Sequence, residues 1–593
     1  MFINGRLMNF FQRLKNFIFT NRGAVLLLIL LGAAIYARSL PNEMFWDDDD
    51  FILKNRYVKD WHYFPKYFSE NLVAGSFLNS NYWRPLLLIV FATEWHLWQD
   101  WTPGWHMVNT GFHIADAILL FFIIQLLFRN RALALCTALI FLTHPIQVET
   151  VVYVNSLGDS LSVFFIFLSI LLYLKFRLSN TNAALSRAYY FSILFYPLAL
   201  LSKESGILLP AFIGICDFVL LNPKKTFLQR IGIILRALWP FAVIALIYIW
   251  LRATTLNFMN TFNFYNEDTE FTSNHWLRFM NFFQVLQIYF GLIFTPYDLR
   301  VERILDVPKT LFQPAVMFGG VVFTSLIAFA VGNWKKRPIV TFGILWFFIG
   351  LILTSNLFVA INALVYEHFL YVPLVGVAVI LVWLAQNYAQ RHGLQKTLAK
   401  AFILLLVVYS ALSVKRIDEW RTAIGFYEDL IKHSPNSYRV INNLGMEYAD
   451  KGIHDKAEIT YLKAIAVDPK NPVAYHNIAG TYRDTGRVDP AIETFQKALE
   501  LDPKFIFTYK SLAQIYYDRK DYPSTRRMLE EYFNRSDEKM QTIDLLLRVA
   551  MTEQNWQDAR KYLLIEQTLV PNNPAITESI RTLDRKIQEK NRN

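Results

Sequence analysis

Cysteine is almost missing from this chain: among 593 residues only Cys136 and Cys216 occur, and both lie inside apolar runs. Neither a disulfide framework nor a zinc cluster can be drawn from two such residues, and the redox compartment is not legible from them. Charge is scarce as well. Charged residues make up 18% and hydrophobic residues 54%, with a mean hydropathy of +0.26, whereas soluble globular proteins carry about 25% charged residues. That balance excludes a soluble single-compartment enzyme. The deficit is uneven, because apolar runs fill residues 24 to 415 while the residues beyond read as an ordinary soluble helical protein.

Acidic residues are absent where their absence is most informative. A bilayer core of about 30 Å needs about 20 apolar residues in helix, and eleven segments qualify: 24–40, 106–128, 132–150, 160–177, 188–203, 206–222, 231–251, 312–333, 337–356, 369–388 and 397–415. Two further stretches, 85–98 and 277–295, are assigned to the outer face as interfacial or re-entrant helices. The inner segments that result contain 18 Lys and Arg, beginning with Arg6, Arg13, Lys15 and Arg22, and no Asp or Glu. The two long outer loops, 41–105 and 252–311, carry only 10 Lys and Arg together with Asp47 to Asp50, Glu267, Asp268 and Glu270. Positive-inside bias therefore places the N-terminus inside, both long loops outside, and the C-terminal half outside after an odd number of spans. The net charge of +11 is then a matter of topology, and no nucleic-acid partner is implied.

A 34-residue period fills the soluble half when segments starting at 438, 472, 506 and 540 are stacked. Leu444, Ile478, Leu512 and Leu546 share one position; Tyr448, Tyr482 and Tyr516 another; Ala457, Ala491, Thr525 and Ala559 a third; Pro469, Pro503 and Pro571 close the units. Small residues let two antiparallel helices approach, aromatics fill the space beside them, and proline ends the second helix. Ala423, Tyr427 and Pro435 continue the register backwards as a half-repeat. This pattern resembles the tetratricopeptide repeat, and the expectation is an all-α chain: a polytopic helix bundle over 1–415 and a repeat solenoid over 416–593 that recruits a partner without chemistry of its own.

Polar residues that a bundle does not need gather near the outer ends of the spans. Asp47, Asp48, Asp49 and Asp50 follow the first span, with Asn55 just beyond. Four adjacent carboxylates repel one another, so such a cluster calls for raised pKa values or a cationic partner. On charge alone, Asp48→Asn relieves repulsion and leaves stability almost unaltered. His106, Asn109 and His113 share one face of the second span, where hydrogen bonding outweighs metal ligation because the two imidazoles are about 10 Å apart by helical rise. His144 and Glu149 close the third span, Asn155 and Asp159 open the fourth, Lys203 and Glu204 join the fifth and sixth, and Glu367 and His368 precede the tenth, in whose first turn Tyr371 lies. Except for the His106 face, all map to one leaflet. Intramembrane polar groups of this kind mark a site or pathway.

Taken in order, Trp46-Asp47-Asp48 with Asn55, Arg84-Pro85-Leu86, His106 to Asn109 with His113, His144-Pro145 with Glu149, Asn155 to Asp159, Leu201-Ser202-Lys203-Glu204, Ser355-Asn356, and Glu367-His368 with Leu370-Tyr371 and Pro373 resemble the transmembrane and tetratricopeptide-repeat O-mannosyltransferases, members of the GT-C glycosyltransferase fold. The resemblance covers nearly the whole chain. It departs from the family in its four aspartates where two are usual, in His368 where many relatives carry Arg, and in fewer repeats than animal members have. It implies inverting transfer of a sugar, mannose or another hexose, from a polyprenyl phosphate to Ser or Thr hydroxyls of proteins on the non-cytoplasmic side. Asp48 or Asp47 is then the base. Lys203, His368 and His144 serve the phosphate, with Glu367 orienting His368; Asn55, Arg84, His106, Asn109, His113, Glu149, Asp159, Glu204 and Tyr371 complete the substrate site. No metal or cofactor is called for beyond the lipid-linked donor. Alternatives are a GT-C transferase acting on a lipid or cell-surface glycan, and a non-enzymatic membrane-anchored scaffold. Compactness and few repeats favour a bacterial inner membrane with periplasmic repeats over the endoplasmic reticulum with luminal ones.

Overall fold

Proline placement sets where the helices of the first half begin and where one of them breaks. A computed structural model describes residues 20–178, 184–220, 226–259, 269–301, 303, 305–361, 363–536 and 538–592, and every element in it is helical. Arg6, Arg13, Lys15, Glu267 and Asp268, which the charge reading used, lie outside the described residues. The chain divides into two units, Met1–Phe426 and Tyr427–Asn593. The last long helix of the first unit runs on from the expected boundary to Glu419, and Trp420 to Phe426 stay with that unit.

Within the first unit, Pro85, Pro314, Pro338 and Pro373 each open a helix, where the missing N–H costs nothing. Eight helices among the described residues are long and apolar enough to cross a bilayer, nine when Arg131–Thr143 and Pro145–Val152 count as one bent span. The bend of 55° falls at His144, which Pro145 forces out of the helical region to φ −66°, ψ 128°. It turns Glu149 into the interior.

The span pattern differs from the sequence expectation in two respects. His275–Phe294, assigned to the outer face, has the length and hydropathy of a crossing helix. Its polar Arg278 and Asn281 lower the apparent hydropathy but are buried in the fold. Conversely, the expected spans at 206–222 and 337–356 contain the described helices Leu209–Leu220 and Pro338–Leu351, of 12 and 14 residues, shorter than a straight crossing. Pro338–Leu351 packs on Pro373–His392 at Gly343 and Gly376, where a Cβ on either glycine would strike the other's carbonyl oxygen.

The second unit is a series of antiparallel helix pairs: Tyr438–Asp450 with His454–Val467, Pro472–Asp484 with Val488–Leu501, Ile506–Asp518 with Tyr522–Arg535, and Lys539–Thr552 with Trp556–Leu569. The 34-residue period extends to the backbone. Gly452, Gly486, Lys520 and Gln554 occupy the same place in the turn of each pair, with φ of 72°, 76°, 61° and 54°. Glycine takes this left-handed turn without strain in the first two units, and the diverged units keep the conformation without glycine.

Candidate active site

The first outer loop is organised by Asn55. Its side chain donates to the carbonyls of Phe51 (3.1 Å) and Leu72 (3.0 Å) and accepts from the Tyr57 amide (3.0 Å), fully buried. With every polar atom used, Asn55 folds the loop and has none to offer a substrate. Upstream, Trp46 adopts φ 64°, and the chain closes into a tight turn in which the Asp48 Oδ2 accepts from the Phe45 amide at 3.3 Å. Oδ1 accepts from the Asn155 amide at 2.8 Å, tying the loop to the start of the fourth expected span. Asp48 is 2% exposed. Burial pushes its carboxyl well above the ordinary range, opposed by those two amides and reinforced by Asp47 and Asp49. Asp49 pairs with Lys54 at 3.0 Å, and burial raises Asp50. Asp47 is half-buried and hydrogen-bonded with the Tyr153 phenol.

Beside the aspartates lie two ion pairs. Arg84 grips Glu204 with Nε and Nη2 at 2.8 to 3.3 Å and lies 4.5 Å over the Tyr82 ring. Burial would raise Glu204, but Arg84 overcomes it and holds the carboxyl below its usual range. Lys203 Nζ meets Asp159 at 2.6 Å. The Tyr82 phenol is pushed up to about 12 by burial; Arg84 opposes this, while Glu204, Asp47 and Tyr366 add to it. One tyrosine thus lies within electrostatic reach of the aspartate loop, the Arg84 pair and the segment carrying Glu367 and His368.

That segment is held by Glu149. Its Oε1 takes His368 Nδ1 at 2.7 Å and its Oε2 the Glu367 amide at 3.0 Å. Glu149, rather than the expected Glu367, therefore orients His368, whose ring stacks on Tyr366 at 5.1 Å. Glu367 turns away to Arg416 (3.0 Å), fully buried, with its second oxygen unpartnered. Burial raises it to about 7, against Arg416 and with Glu149.

Besides Asn55, four expected site residues are spent on the framework. His106 donates from Nε2 to the Asn42 carbonyl (3.2 Å), Asn109 to the carbonyls of Tyr153 and Val154, and His144 uses Nε2 on the Ile293 carbonyl and Nδ1 to accept the Ile146 amide. His113 bridges the Leu142 carbonyl and the Tyr371 hydroxyl, which in turn bonds Asp116 at 2.8 Å. His144 thus has both ring nitrogens engaged by the backbone. Asp116, Tyr82, Tyr153 and Arg416 were missed from sequence, although Asp116 continues the helical face of His106, Asn109 and His113. Among the described residues no group of His, Cys, Asp and Glu is placed to hold a metal.

Together these features define a polytopic membrane helix bundle with ion pairs gathered among its loops, joined to a tetratricopeptide solenoid. The tetratricopeptide repeat family matches residues 438–471 and 472–505, the first two units in the register read from sequence. Over the larger part of the chain it is similar to protein O-mannosyl-transferases: TMTC4 of Homo sapiens at 25% identity over 72% of this chain, F38B6.6 of Caenorhabditis elegans at 23% over 75%, and TMTC3 of Mus musculus at 23% over 75%. The chain spans 64%, 63% and 51% of the length of these relatives. The resemblance drawn from the motifs is borne out by these similarities.

Proposed function

We propose that this protein transfers mannose from a polyprenyl phosphate to Ser or Thr hydroxyls of proteins, with inversion, on the non-cytoplasmic side of the membrane. The observation that carries the reading is the place of Tyr82, within electrostatic reach of Asp47, of the Arg84–Glu204 pair and of Tyr366, the ring on which His368 stacks. The names of the similar proteins support mannosyl transfer to protein.

Asp47 is the base. A general base must reach the proton it removes, and Asp48 has both oxygens committed to backbone amides while Asp47 is half-buried. As the acceptor oxygen bonds to the anomeric carbon, its proton passes to Asp47 and the bond to the donor phosphate breaks. The electron pair leaves on the phosphate, whose charge needs fixed donors. Each of these side chains is aimed by its own carboxylate: Glu204 leaves Arg84 its Nη1, Asp159 leaves Lys203 two of three N–H bonds, and Glu149 fixes the His368 ring through Nδ1. The lipid carrier brings the sugar already activated, so no nucleotide site is needed.

The test is transfer from radiolabelled polyprenyl-phosphate mannose to Ser/Thr peptides by the purified full chain, with linkage read by anomer-specific mannosidases. Transfer to lipid or glycan alone, or no transfer by correctly inserted protein, overturns the reading.

A further inference from the structure

A bulky residue with positive φ is a backbone outlier that persists only where its surroundings impose it. Trp46, with φ 64°, is such a residue, and it immediately precedes Asp47 and Asp48. Its ring is gripped by Tyr153 at 6.1 Å and Phe426 at 5.7 Å. Phe426 in turn packs on Trp420 at 4.5 Å and Phe45 at 5.0 Å, and Tyr153 stacks on Trp420 at 5.6 Å. These five rings form one closed cluster behind the aspartate turn.

The same two stretches of chain are zipped together by hydrogen bonds. Asn42 Nδ2 donates to the Ile417 carbonyl (3.1 Å), the Glu43 amide to the Arg421 carbonyl (3.1 Å), and the Ala423 amide to the Glu43 carboxylate (3.0 Å). Arg38 and Asp418 pair beside them at 2.7 Å. Residues 417–426 therefore act as a backing plate for residues 38–48, although neither Trp420 nor Phe426 carries a group able to give or take the proton in transfer.

We propose that Phe426, with Trp420, is a positioning residue that holds Trp46 in its left-handed conformation and so fixes the turn that presents Asp47 and anchors Asp48. This inference rests on the proposed transferase reading for its consequence in rate, and on geometry alone for its consequence in structure. Loss of the Phe426 ring frees Trp46 to relax toward negative φ, which opens the turn closed by the Asp48 to Phe45 bond and loosens the Asp48 to Asn155 bond.

The experiment compares full-length Phe426→Ala, Phe426→Leu and Phe426→Tyr with wild type. The Ala variant is expected to lose about 10- to 100-fold in kcat with KM for the lipid donor nearly unchanged, because a misplacement of about 1 Å costs up to about 10²; Tyr, which keeps the flat ring, restores the rate to within about threefold. Hydrogen exchange of the Asn155 amide, read by mass spectrometry, speeds up in Ala and not in Tyr. Should Ala fail to insert, Leu carries the same comparison, with most of the volume kept and the flat ring lost. Wild-type kcat and wild-type Asn155 exchange in Ala or Leu overturn the proposal. If wild type transfers no sugar, the functional reading falls, and exchange at Asn155 alone decides the positioning.

Discussion

Replacing Asp48 by Asn separates holding the loop from accepting the proton. An amide has one acceptor and one donor end, whereas both Asp48 oxygens receive backbone N–H groups, at 2.8 Å from Asn155 and 3.3 Å from Phe45. The better-bonded oxygen keeps Asn155, so the new NH₂ faces the Phe45 N–H, donor against donor. A buried donor left without a partner costs about 1 to 3 kcal/mol, and the site offers no water-exposed escape because Asp48 is 2% exposed. Relief of the burial penalty on the Asp48 charge, and of repulsion from Asp47 and Asp49, offsets part of this. The expectation from charge alone, unaltered stability, thus gives way to a measurable loss in a thermal-shift assay in detergent. Asp47→Asn behaves in the opposite way: Tyr153 can still bond the amide, stability is nearly kept, and transfer falls by about 10² to 10⁴. Asp48→Asn lowers transfer less, about 10 to 10², by displacing Asp47. Wild-type stability in Asp48→Asn, together with a larger rate loss than in Asp47→Asn, would refute the assignment and make Asp48 the base.

Glu367 supplies a pH signature. Its folded pKa of about 7 lies above the ordinary 4.5, so between these values the folded state holds a proton that the unfolded state has released, and stability falls as pH rises through the window; Glu367→Gln is expected to flatten the melting temperature between pH 5 and 7, and an unchanged slope refutes this. Truncation distinguishes the backing plate from the repeats. A chain ending after Glu419 loses Trp420 and Phe426 and is expected to lose transfer to any acceptor, whereas one ending after Ser434 keeps transfer to a short peptide and loses the native acceptor; equal transfer by both to the short peptide contradicts it. Cysteines placed at Lys470 and Lys504 are expected to react with an impermeant maleimide in intact spheroplasts, and labelling only after lysis reverses the sidedness.

Helical content, the two-part organisation and the repeat register were legible in the sequence because each is a local property. Hydropathy over about 20 residues and a 34-residue period need no knowledge of what packs against what. The turn conformation shared by Gly452, Gly486, Lys520 and Gln554 shows how far that local code reaches, into units whose side chains have diverged. Polar residues near the span ends could likewise be counted along the chain. Their partners could not. Asp48 meets Asn155 across 107 residues, Arg84 meets Glu204 across 120, and His368 meets Glu149 across 219. Such pairs exist only where helix packing brings distant span ends to one place, and that packing also decided which polar groups were consumed by the backbone: Asn55 and His144 carry the chemistry of a binding site but spend it on neighbouring amides and carbonyls. Burial, a property of the whole fold, set the rest, raising Glu367 toward neutrality and leaving Asp47 half-buried while Asp48 was sealed behind it.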